Sequence, residues 1–294
     1  MNLDRVPPNC LPEAWACLWA EAADLPDVIF HYTSASAAVS IITGRKMWAT
    51  DLLFTNDPTE IRYAADVIGI ALDGAIAAVG NDVGRRRWLE TFRMIANGQV
   101  RRNSWYAISF CADGDLLSQW RSYADAGGGF ALGFSGASLC GLRGWTVPID
   151  YTRDRQLKLA REVIDIHVQQ LASHADVDDE TAREDFIRVS NSLMFLLSLL
   201  LFRFKHRAFE EEREYRLAFP VIGGTTFEGH PIKFRSAGTL IKPYVEVDFS
   251  SVDLDEVRYG PTTNPALTER WLGLALEGSG YRRTVVRASG VPMR

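Results

Sequence analysis

Apolar residues recur along the chain in two periods, and each period predicts one kind of element. Apolar positions three and four residues apart predict amphipathic helices. Runs of β-branched and aromatic residues bounded by turn residues predict strands. The predicted helices are 12–23, 37–43, about 58–79, about 82–96, 116–125, about 153–174, 178–207 and 264–277. The predicted strands are 28–32, 46–50, 104–111, 130–134, 145–151, 214–221, 231–234, 240–249, one that ends near 257–261, and 283–288.

The order of these elements favours one α+β domain spanning residues 1–294, because no linker or change in composition divides the chain. We expect a single mixed or antiparallel β core with flanking helices and a helical insertion at about 153–207. The most apolar run, Leu193 to Phe202, has about half of the roughly 20 residues that span a bilayer, which favours a buried core helix. The N-terminal segment lacks the apolar core of a signal peptide. The sequence therefore predicts a cytoplasmic protein with no membrane partner.

Composition and charge narrow the function classes. Hydrophobic residues make up 47% and charged residues 23% of the chain, as in an ordinary globular protein. The net charge of −5 argues against a surface that binds nucleic acid everywhere. A local basic patch between Arg85 and Arg102 remains conceivable, with a solvated amphipathic helix as the simpler interpretation. The four cysteines form no CxxC pair, so we expect buried apolar thiols and no metal site.

The segment Glu212-Arg213-Glu214-Tyr215-Arg216 is the strongest candidate for a functional site. Side chains two residues apart share a strand face, so Glu212, Glu214 and Arg216 are predicted to point one way. Tyr215 and the apolar residues after it would face the core. Arg216 could hold one carboxylate ionised and oriented towards a polar cleft. The alternative is a solvated strand face with a surface salt bridge.

A second group of candidates lies near the N-terminus. His31 ends a predicted strand, where it could bind a ligand hydroxyl or act as a general base, or could simply be satisfied by backbone. Asn56 and Asp57 have turn chemistry, and Glu60 would begin a helix with its charge favourably placed against the helix dipole. From the residues alone, the turn and helix start are the better interpretation.

The unit 104–125 combines a strand with a helix. Ser109 lies on the strand, and Trp120 and Tyr123 are spaced to share a helix face. Such an aromatic pair is more often core than a binding platform. The triple glycine at 127–129 lacks the spacing of a dinucleotide fingerprint and precedes a strand, so it gives no Rossmann signal.

The ordered series of short motifs resembles the bacterial domain-of-unknown-function family 2971 (DUF2971). The motifs are F-H-Y-T-S (30–34), F-T-N-D-P-T-E (54–60), I-S-F-C (108–111), L-S-Q-W-R-S-Y-A-D (117–125), G-G-F-A-L-G-F (128–134), F-x-x-E-x-E-x-R (209–216), R-Y-G-P (258–261) and S-G-V-P-M-R (289–294). Phe209 stands where the family often has Trp, and the strand ends S-F-C-A rather than C-F-S. The family name carries no reaction.

The same order is more distantly similar to the ADP-ribosyltransferase layout, which implies a split β-sheet and NAD as a substrate. In that superfamily an early His binds the NAD ribose, an aromatic residue packs on nicotinamide, and a late Glu is catalytic. The resemblance assigns these roles to His31, to Tyr32 or Tyr123, and to Glu214, with Glu212 orienting the acceptor. The other candidates for binding substrate or cofactor are Thr33, Asn56, Asp57, Glu60, Ser109, Trp120 and Arg216.

Three hypotheses follow. The leading one is an NAD-consuming transferase or glycohydrolase, of the toxin or anti-phage defence kind, that acts on a protein or nucleic-acid acceptor. The second is a metal-dependent nuclease or phosphohydrolase, in which Asp57, Glu60 and the glutamates at 212 and 214 hold Mg²⁺ beside Lys205 or His206. The third is a sensor domain that binds a nucleotide in the same cleft without turnover.

Overall fold

A computed structural model describes residues 11–19, 25–55, 59–102, 104–171, 180–221, 226–227, 230–237, 239–260 and 265–292. The helices are α1 Pro12–Trp19, α2 Ala35–Gly44, α3 Glu60–Ala78, α4 Val83–Arg102, α5 Leu117–Tyr123, α6 Gly136–Leu139, α7 Arg153–Gln170, α8 Glu180–Arg203 and α9 Pro265–Gly278. The strands are β1 Val28–Thr33, β2 Lys46–Asp51, β3 Ser104–Cys111, β4 Phe130–Ser135, β5 Trp145–Pro148, β6 Glu214–Val221, β7 Thr226–Phe227, β8 His230–Pro231, β9 Lys233–Ala237, β10 Leu240–Asp248, β11 Leu254–Tyr259 and β12 Val285–Ala288.

The predicted α+β class is confirmed, and one large sheet forms its centre. Its strands follow the order β12-β11-β4-β1-β3-β2-β10-β9, and β6 and β5 branch from β3. The pair β11 and β12 is parallel, and the other pairs of this sheet are antiparallel. The predicted mixed β core therefore describes the sheet correctly.

The sheet splits along one edge of β3. Strand β6 pairs with β3 over its whole length, from Ser104 to Cys111, and so occupies one edge. The other edge is shared, because β2 pairs at Tyr106 and Ala107 whereas β1 pairs at Cys111. Between these contacts, β1 and β2 diverge and leave residues 108–110 of β3 without a strand partner on that side. This gap between β1 and β2, which we call the split, is where the cleft described below opens.

Among the described residues, two large hydrophobic cores lie on the two faces of the sheet, and a smaller cluster surrounds Trp120. The larger one packs α1, α3, α4, α7 and α8 against residues of β3, β5 and β6, including Trp105 and Ala218. The second one packs α2 and α9 against the opposite face, with Phe134 and Val245 among its members. The helices of the predicted insertion, α7 and α8, thus supply a layer of the larger core. Apolar residues on both sheet faces explain why several strands are apolar throughout rather than alternating.

Helix α8 ends four residues earlier than the sequence predicts, at Arg203. After it the chain runs extended: Phe204 bridges to Asp150, and the Lys205 amide donates to the Asp150 carbonyl at 3.1 Å. The side-chain amide of Gln156 donates to the carbonyl of Lys205 at 2.9 Å. These bonds replace the last helical turn and fix the backbone of Lys205.

The same helix contains an apolar stretch longer than the predicted ten-residue run. Phe186–Arg203 is long and apolar enough to cross a membrane by length and composition, with a mean hydropathy of 1.5. Of this stretch, 61% is buried inside the fold. Leu193, Leu196 and Leu200 pack in the larger core, so the packing is compatible with a core helix of a soluble protein.

The C-terminal segment is fastened to the region around α5 by one carboxylate. Asp115 accepts hydrogen bonds from Trp120 Nε1 at 2.8 Å, from the Ser289 hydroxyl at 2.5 Å and from the Gly290 amide at 2.8 Å. Nearby, Gly260 passes so close to the glycine-rich turn that an added Cβ would lie 2.0 Å from a carbonyl oxygen. Motifs distant in sequence therefore meet beside α5.

A buried histidine couples the larger core to pH. His167 Nδ1 donates to the Val163 carbonyl at 2.6 Å, and its Nε2 lies 2.8 Å from the Ser192 hydroxyl, which accepts from the Leu11 amide. Burial lowers the pKa of His167 to about 4 from its ordinary 6.5, against the smaller raising effect of the Val163 bond. The folded protein therefore keeps this imidazole neutral over a range in which the unfolded chain protonates it.

We expect the free energy of unfolding to fall as pH decreases from 6.5 to about 4, by up to about 3 kcal/mol from His167 alone. The contribution is present in full above pH 6.5, because there neither state binds the proton. Urea unfolding of wild type and His167→Gln at several pH values checks this, and the variant should show a flatter slope. Parallel slopes for wild type and His167→Gln would contradict the prediction.

Candidate functional site

A cleft of about 500 Å³ opens at the split of the sheet. This volume lies in the range of small-molecule sites. Its lining comes from β1, β2, β3, β6, β9, β10, the start of α3, α5 and the chain after α8. The lining includes Phe30, His31, Tyr32, Trp48, Thr50, Glu60, Ser109, Gln119, Tyr123, Lys205, Phe209, Glu212, Glu214, Arg216, Arg235 and Lys242.

Lys205 lies at the centre of the cleft floor among three carboxylates. Its Nζ donates to Glu60 Oε1 at 2.8 Å, to Glu214 Oε2 at 2.9 Å, and to Glu212. An ammonium group has three donors, so these contacts satisfy it completely. The ring of Phe209 covers it, with Nζ 4.8 Å from the ring centroid. Lys205 therefore joins three separate segments of the chain.

Arg216 completes the floor from β6. Its Nε and Nη2 form a bidentate pair with the two carboxylate oxygens of Glu214, at 2.6 and 2.9 Å. The same Nη2 donates to Glu60 Oε2 at 2.6 Å, and Nη1 donates to the Phe202 carbonyl at 3.3 Å. The predicted role of Arg216, to hold a carboxylate in place, matches this geometry. We call Glu60, Lys205, Glu212, Glu214 and Arg216 the floor network.

The predicted strand face is wrong for Glu212. Strand β6 begins at Glu214, and Glu212 is the last residue of a 3₁₀ helix over Arg207–Glu212. Arg213 joins the two in a left-handed conformation, with φ of 44°. This reversal brings Glu212 to Lys205, so the two carboxylates meet through a turn rather than through strand alternation.

The predicted open face is also wrong for the rest of the segment. Glu214 is 7% exposed and Arg216 is 2% exposed, because α3 and Lys205 cover this face of β6. The surface salt bridge considered as the alternative is therefore not what forms. The charges lie at the bottom of a cleft, and they are paired there.

Within the floor network, the pKa values of Glu214 and Glu212 are shifted in opposite directions. Burial alone would raise the pKa of Glu214, but the charges of Arg216 and Lys205 and hydrogen bonds from Arg216 and Ser109 lower it below its usual range. Burial raises the pKa of Glu212, and the bond from Lys205 offsets this only in part. Glu214 is therefore held as an anion, whereas the pKa of Glu212 is shifted in the opposite direction.

His31 closes the unpaired edge of β3 at the split. Its Nδ1 donates to the Ser109 carbonyl at 2.9 Å, and its ring contacts Phe110 edge-on. Burial lowers the pKa of His31 despite this hydrogen bond. With Nδ1 protonated, the neutral ring keeps Nε2 as an acceptor for a ligand hydroxyl.

The two tyrosines named as candidates differ in their surroundings. The Tyr32 hydroxyl donates to the Asp113 carbonyl and accepts from the Leu116 amide, each at 2.9 Å, and its ring packs edge-on against Trp120. Tyr123 is 39% exposed and lines the cleft. Tyr123 is thus the tyrosine with surface left for a ligand.

Of the remaining predicted site residues, Glu60 and Ser109 line the cleft, whereas Trp120 and Thr33 do not. Glu60 begins α3, as predicted, and is also part of the floor network, which the turn and helix-start interpretation did not include. Ser109 is exposed in the cleft. Trp120 is fully buried with its Nε1 on Asp115, and Thr33 is buried outside the cleft lining. The predictions for Asn56 and Asp57 concern positions that lie outside the described residues.

One residue of the floor network, Lys205, and all residues of one cleft wall were not among the predicted site residues. Lys205 was considered only for the metal-dependent hypothesis, and its signal was a lysine directly after the most apolar helix. Trp48, Thr50, Arg235 and Lys242 form a wall on β2, β9 and β10. No local motif marks them, because their common face depends on how those strands pair.

The position of Lys205 disfavours a Mg²⁺ site among the floor carboxylates. Its ammonium lies between the carboxylates that would have to bind Mg²⁺. Within the described part of the chain, no group of three or more His, Cys, Asp or Glu is arranged to hold a metal ion. His206 lies on a different surface, beside Tyr63 and Tyr151.

These observations define an α+β protein with a charged cleft at the branch point of its sheet. Residues 119–217 match the model of a family described as "Protein of unknown function (DUF2971)". The match supports the resemblance that the motifs predicted, and the matched segment contains most of α5, Lys205 and the E-x-E-x-R motif of the floor. No curated protein and no solved structure matches the chain significantly.

We expect Arg216→Met to lower the free energy of unfolding by about 3–5 kcal/mol, because it leaves Glu214 and Glu60 buried with one cation fewer. Urea unfolding at neutral pH measures this. Lys46→Met is the matched control, since Lys46 pairs with Glu246 at the surface, and it should cost less than about 1 kcal/mol. Equal costs for the two variants would show that the floor network is not a buried ionic cluster.

Proposed function

We propose that the protein cleaves the nicotinamide–ribose bond of NAD and transfers the ADP-ribosyl group to water or to a macromolecular acceptor. The observation that supports this is the meeting of His31, Tyr123 and the glutamates 212 and 214 in one cleft, from four separate elements. An intracellular toxin or defence effector acting on a protein or nucleic acid, as the resemblance implies, would need such a site.

The charge of the floor suits the chemistry. Breaking the C–N bond gives the departing nicotinamide the bonding electrons and leaves positive charge on the ribose C1′ and ring oxygen. Three carboxylates of the floor network face two cations, so the floor keeps one excess negative charge when all five groups are ionised. Fixed anionic charge stabilises such an oxocarbenium ion in glycosidases. Glu214, held by two cations, keeps its position during the step.

Glu212 supports the second half of the reaction. The acceptor O–H attacks C1′, a new C–O bond forms, and the proton passes to a base. Glu212 receives a hydrogen bond on Oε2 from Lys205 and has a raised pKa, which brings its basicity closer to that of an efficient general base. His31 would accept a ribose hydroxyl at Nε2, and Tyr123 would pack beside nicotinamide.

Glu212→Gln should reduce net nicotinamide release from NAD by about 10²–10⁴-fold, because the amide cannot accept the acceptor's proton and the untrapped oxocarbenium ion recombines with nicotinamide. Nicotinamide is measured by chromatography with NAD alone and with NAD plus a mixed lysate. Glu211→Gln is the matched control, since its carboxylate is adjacent in sequence but exposed outside the cleft lining. Glu214→Gln is assayed in parallel, with urea unfolding to separate loss of chemistry from loss of fold.

The outcomes distinguish the hypotheses. Absence of nicotinamide release and of transfer from NAD in every wild-type reaction would refute the proposed reaction. NAD binding without release, weakened by Glu214→Gln, would instead identify a nucleotide sensor. That alternative has one supporting observation, which is that ion pairs already engage both oxygens of Glu214.

The rate should also depend on pH through Glu212. Its pKa is raised, so nicotinamide release is expected to decline as pH falls through that pKa and the carboxylate becomes protonated. A pH–rate profile of kcat/KM measures this acid limb. The limb should be present in the Glu211→Gln control and absent from the residual rate of Glu212→Gln. An unchanged limb in Glu212→Gln would assign the titration to another group.

A further inference from the structure

We propose that the wall of the cleft on β2, β9 and β10 binds a nucleoside diphosphate, with the diphosphate between Arg235 and Lys242 and the base against Trp48. The inference deepens the proposed function by naming the part of the substrate that this wall would hold. It rests on the proposed reaction only for the identity of the complete ligand, since binding can be measured without turnover.

The first support is an opposed pair of like charges. Arg235 on β9 and Lys242 on β10 are direct register partners, so their side chains leave the same face of the sheet. Like charges placed opposite each other destabilise a sheet. Both residues also line the cleft. An anion between them would remove the repulsion and bind both cations.

The second support is that neither cation has an acidic partner. Within the described residues, Arg235 donates to the Thr50 hydroxyl at 3.3 Å, its Nε is buried without a hydrogen-bond partner, and Lys242 has no ion pair. Lys46 and Lys233 lie on the same face of the sheet. Unlike Arg235 and Lys242, both form ion pairs with Glu246, at 2.8 and 3.1 Å. The chain thus neutralises Lys46 and Lys233 outside the cleft, whereas Arg235 and Lys242 on the cleft wall have no acidic partner among the described residues.

The third support is an exposed aromatic ring beside these cations. Trp48 on β2 is 46% exposed although it lines the cleft. Tyr244 packs on it with ring centroids 4.5 Å apart, and the Arg235 guanidinium carbon lies 5.5 Å from its centroid. Tyr244 on the neighbouring strand holds the indole in place, and the exposed part of the indole ring is available for stacking. Stacking on such rings is a common way to bind bases.

Negative and positive charges lie in different parts of the cleft. The floor carries the three carboxylates of its network, whereas Arg235 and Lys242 lie on the wall formed by β9 and β10. A complementary ligand would place a group that becomes positive against the acidic floor and a diphosphate against the basic wall. A diphosphate joined to a ribose has that sequence of charges. Phosphate recognition also explains an arginine at this position, because its planar fork binds two oxygens at once.

Isothermal titration calorimetry with ADP-ribose, ADP and inorganic pyrophosphate tests the assignment. Arg235→Gln and Lys242→Gln should each weaken ADP-ribose and ADP by about tenfold or more, as expected for a charge-assisted bond. Trp48→Leu should weaken ADP-ribose and ADP by about tenfold and leave pyrophosphate unchanged. Lys233→Gln is the matched control, because Lys233 lies on the same strand but pairs with Glu246 outside the cleft lining.

Several results would overturn the inference. One is ADP-ribose affinity that is equal in wild type and in both cation variants. Another is a single-stranded oligonucleotide that binds at least tenfold more tightly than ADP-ribose and with the same sensitivity to the variants, which would assign the wall to nucleic acid. If Arg235→Gln fails to fold, Lys242→Gln alone decides, since the Lys242 side chain makes no bond to the fold within the described residues.

The test separates this inference from the proposed reaction. ADP-ribose binding that depends on Arg235 and Lys242, without nicotinamide release from NAD, would refute the reaction and retain the subsite. Nicotinamide release with an unchanged KM for NAD in both cation variants would refute the subsite and retain the reaction.

Discussion

The structure depends on a constraint of electrostatics, which is that charges removed from water must be neutralised where they lie. Burying an isolated carboxylate or guanidinium costs several kcal/mol, so each charge of the floor network needs a partner held at hydrogen-bond distance. Glu60 comes from the start of α3, Lys205 from the chain after α8, and Arg216 from β6. The backbone around each residue must deliver its side chain to one place. The early end of α8 and the left-handed Arg213 allow Lys205 and Glu212 to reach that place.

The same constraint gives the cleft its chemical character. Because Lys205 and Arg216 are fully engaged by the floor carboxylates, they are not available to bind a phosphate. A polyanionic ligand must therefore find its cations elsewhere. Arg235 and Lys242, which have no acidic partner within the described part of the chain, lie on the wall of β9 and β10. An acidic floor and a basic wall arise from how charges are paired, although the chain as a whole carries a net charge of −5.

Sequence reasoning located the elements and part of the floor, and its failures have physical causes. Glu214 and Arg216 were found because strand alternation is a local property of the chain. Glu212 was placed on the wrong element because no local signal reveals a left-handed arginine. Lys205 was undervalued because its position depends on where a helix ends, which tertiary hydrogen bonds to the segment around Asp150 decide. Trp48, Arg235 and Lys242 share a face only through strand register, and register is a long-range property.

The split of the sheet has a mechanical consequence. Strand β1 leads to one wing of the sheet, with β4, β11 and β12, and β2 leads to the other, with β10 and β9. The two wings share β3 and the core beneath it, but on the edge of β3 that faces them residues 108–110 pair with neither β1 nor β2. A molecule that touches His31 on one wing and Trp48 on the other acts as a cross-brace between them. Such a molecule would therefore restrain the angle between the wings, which no strand pairing across the split fixes.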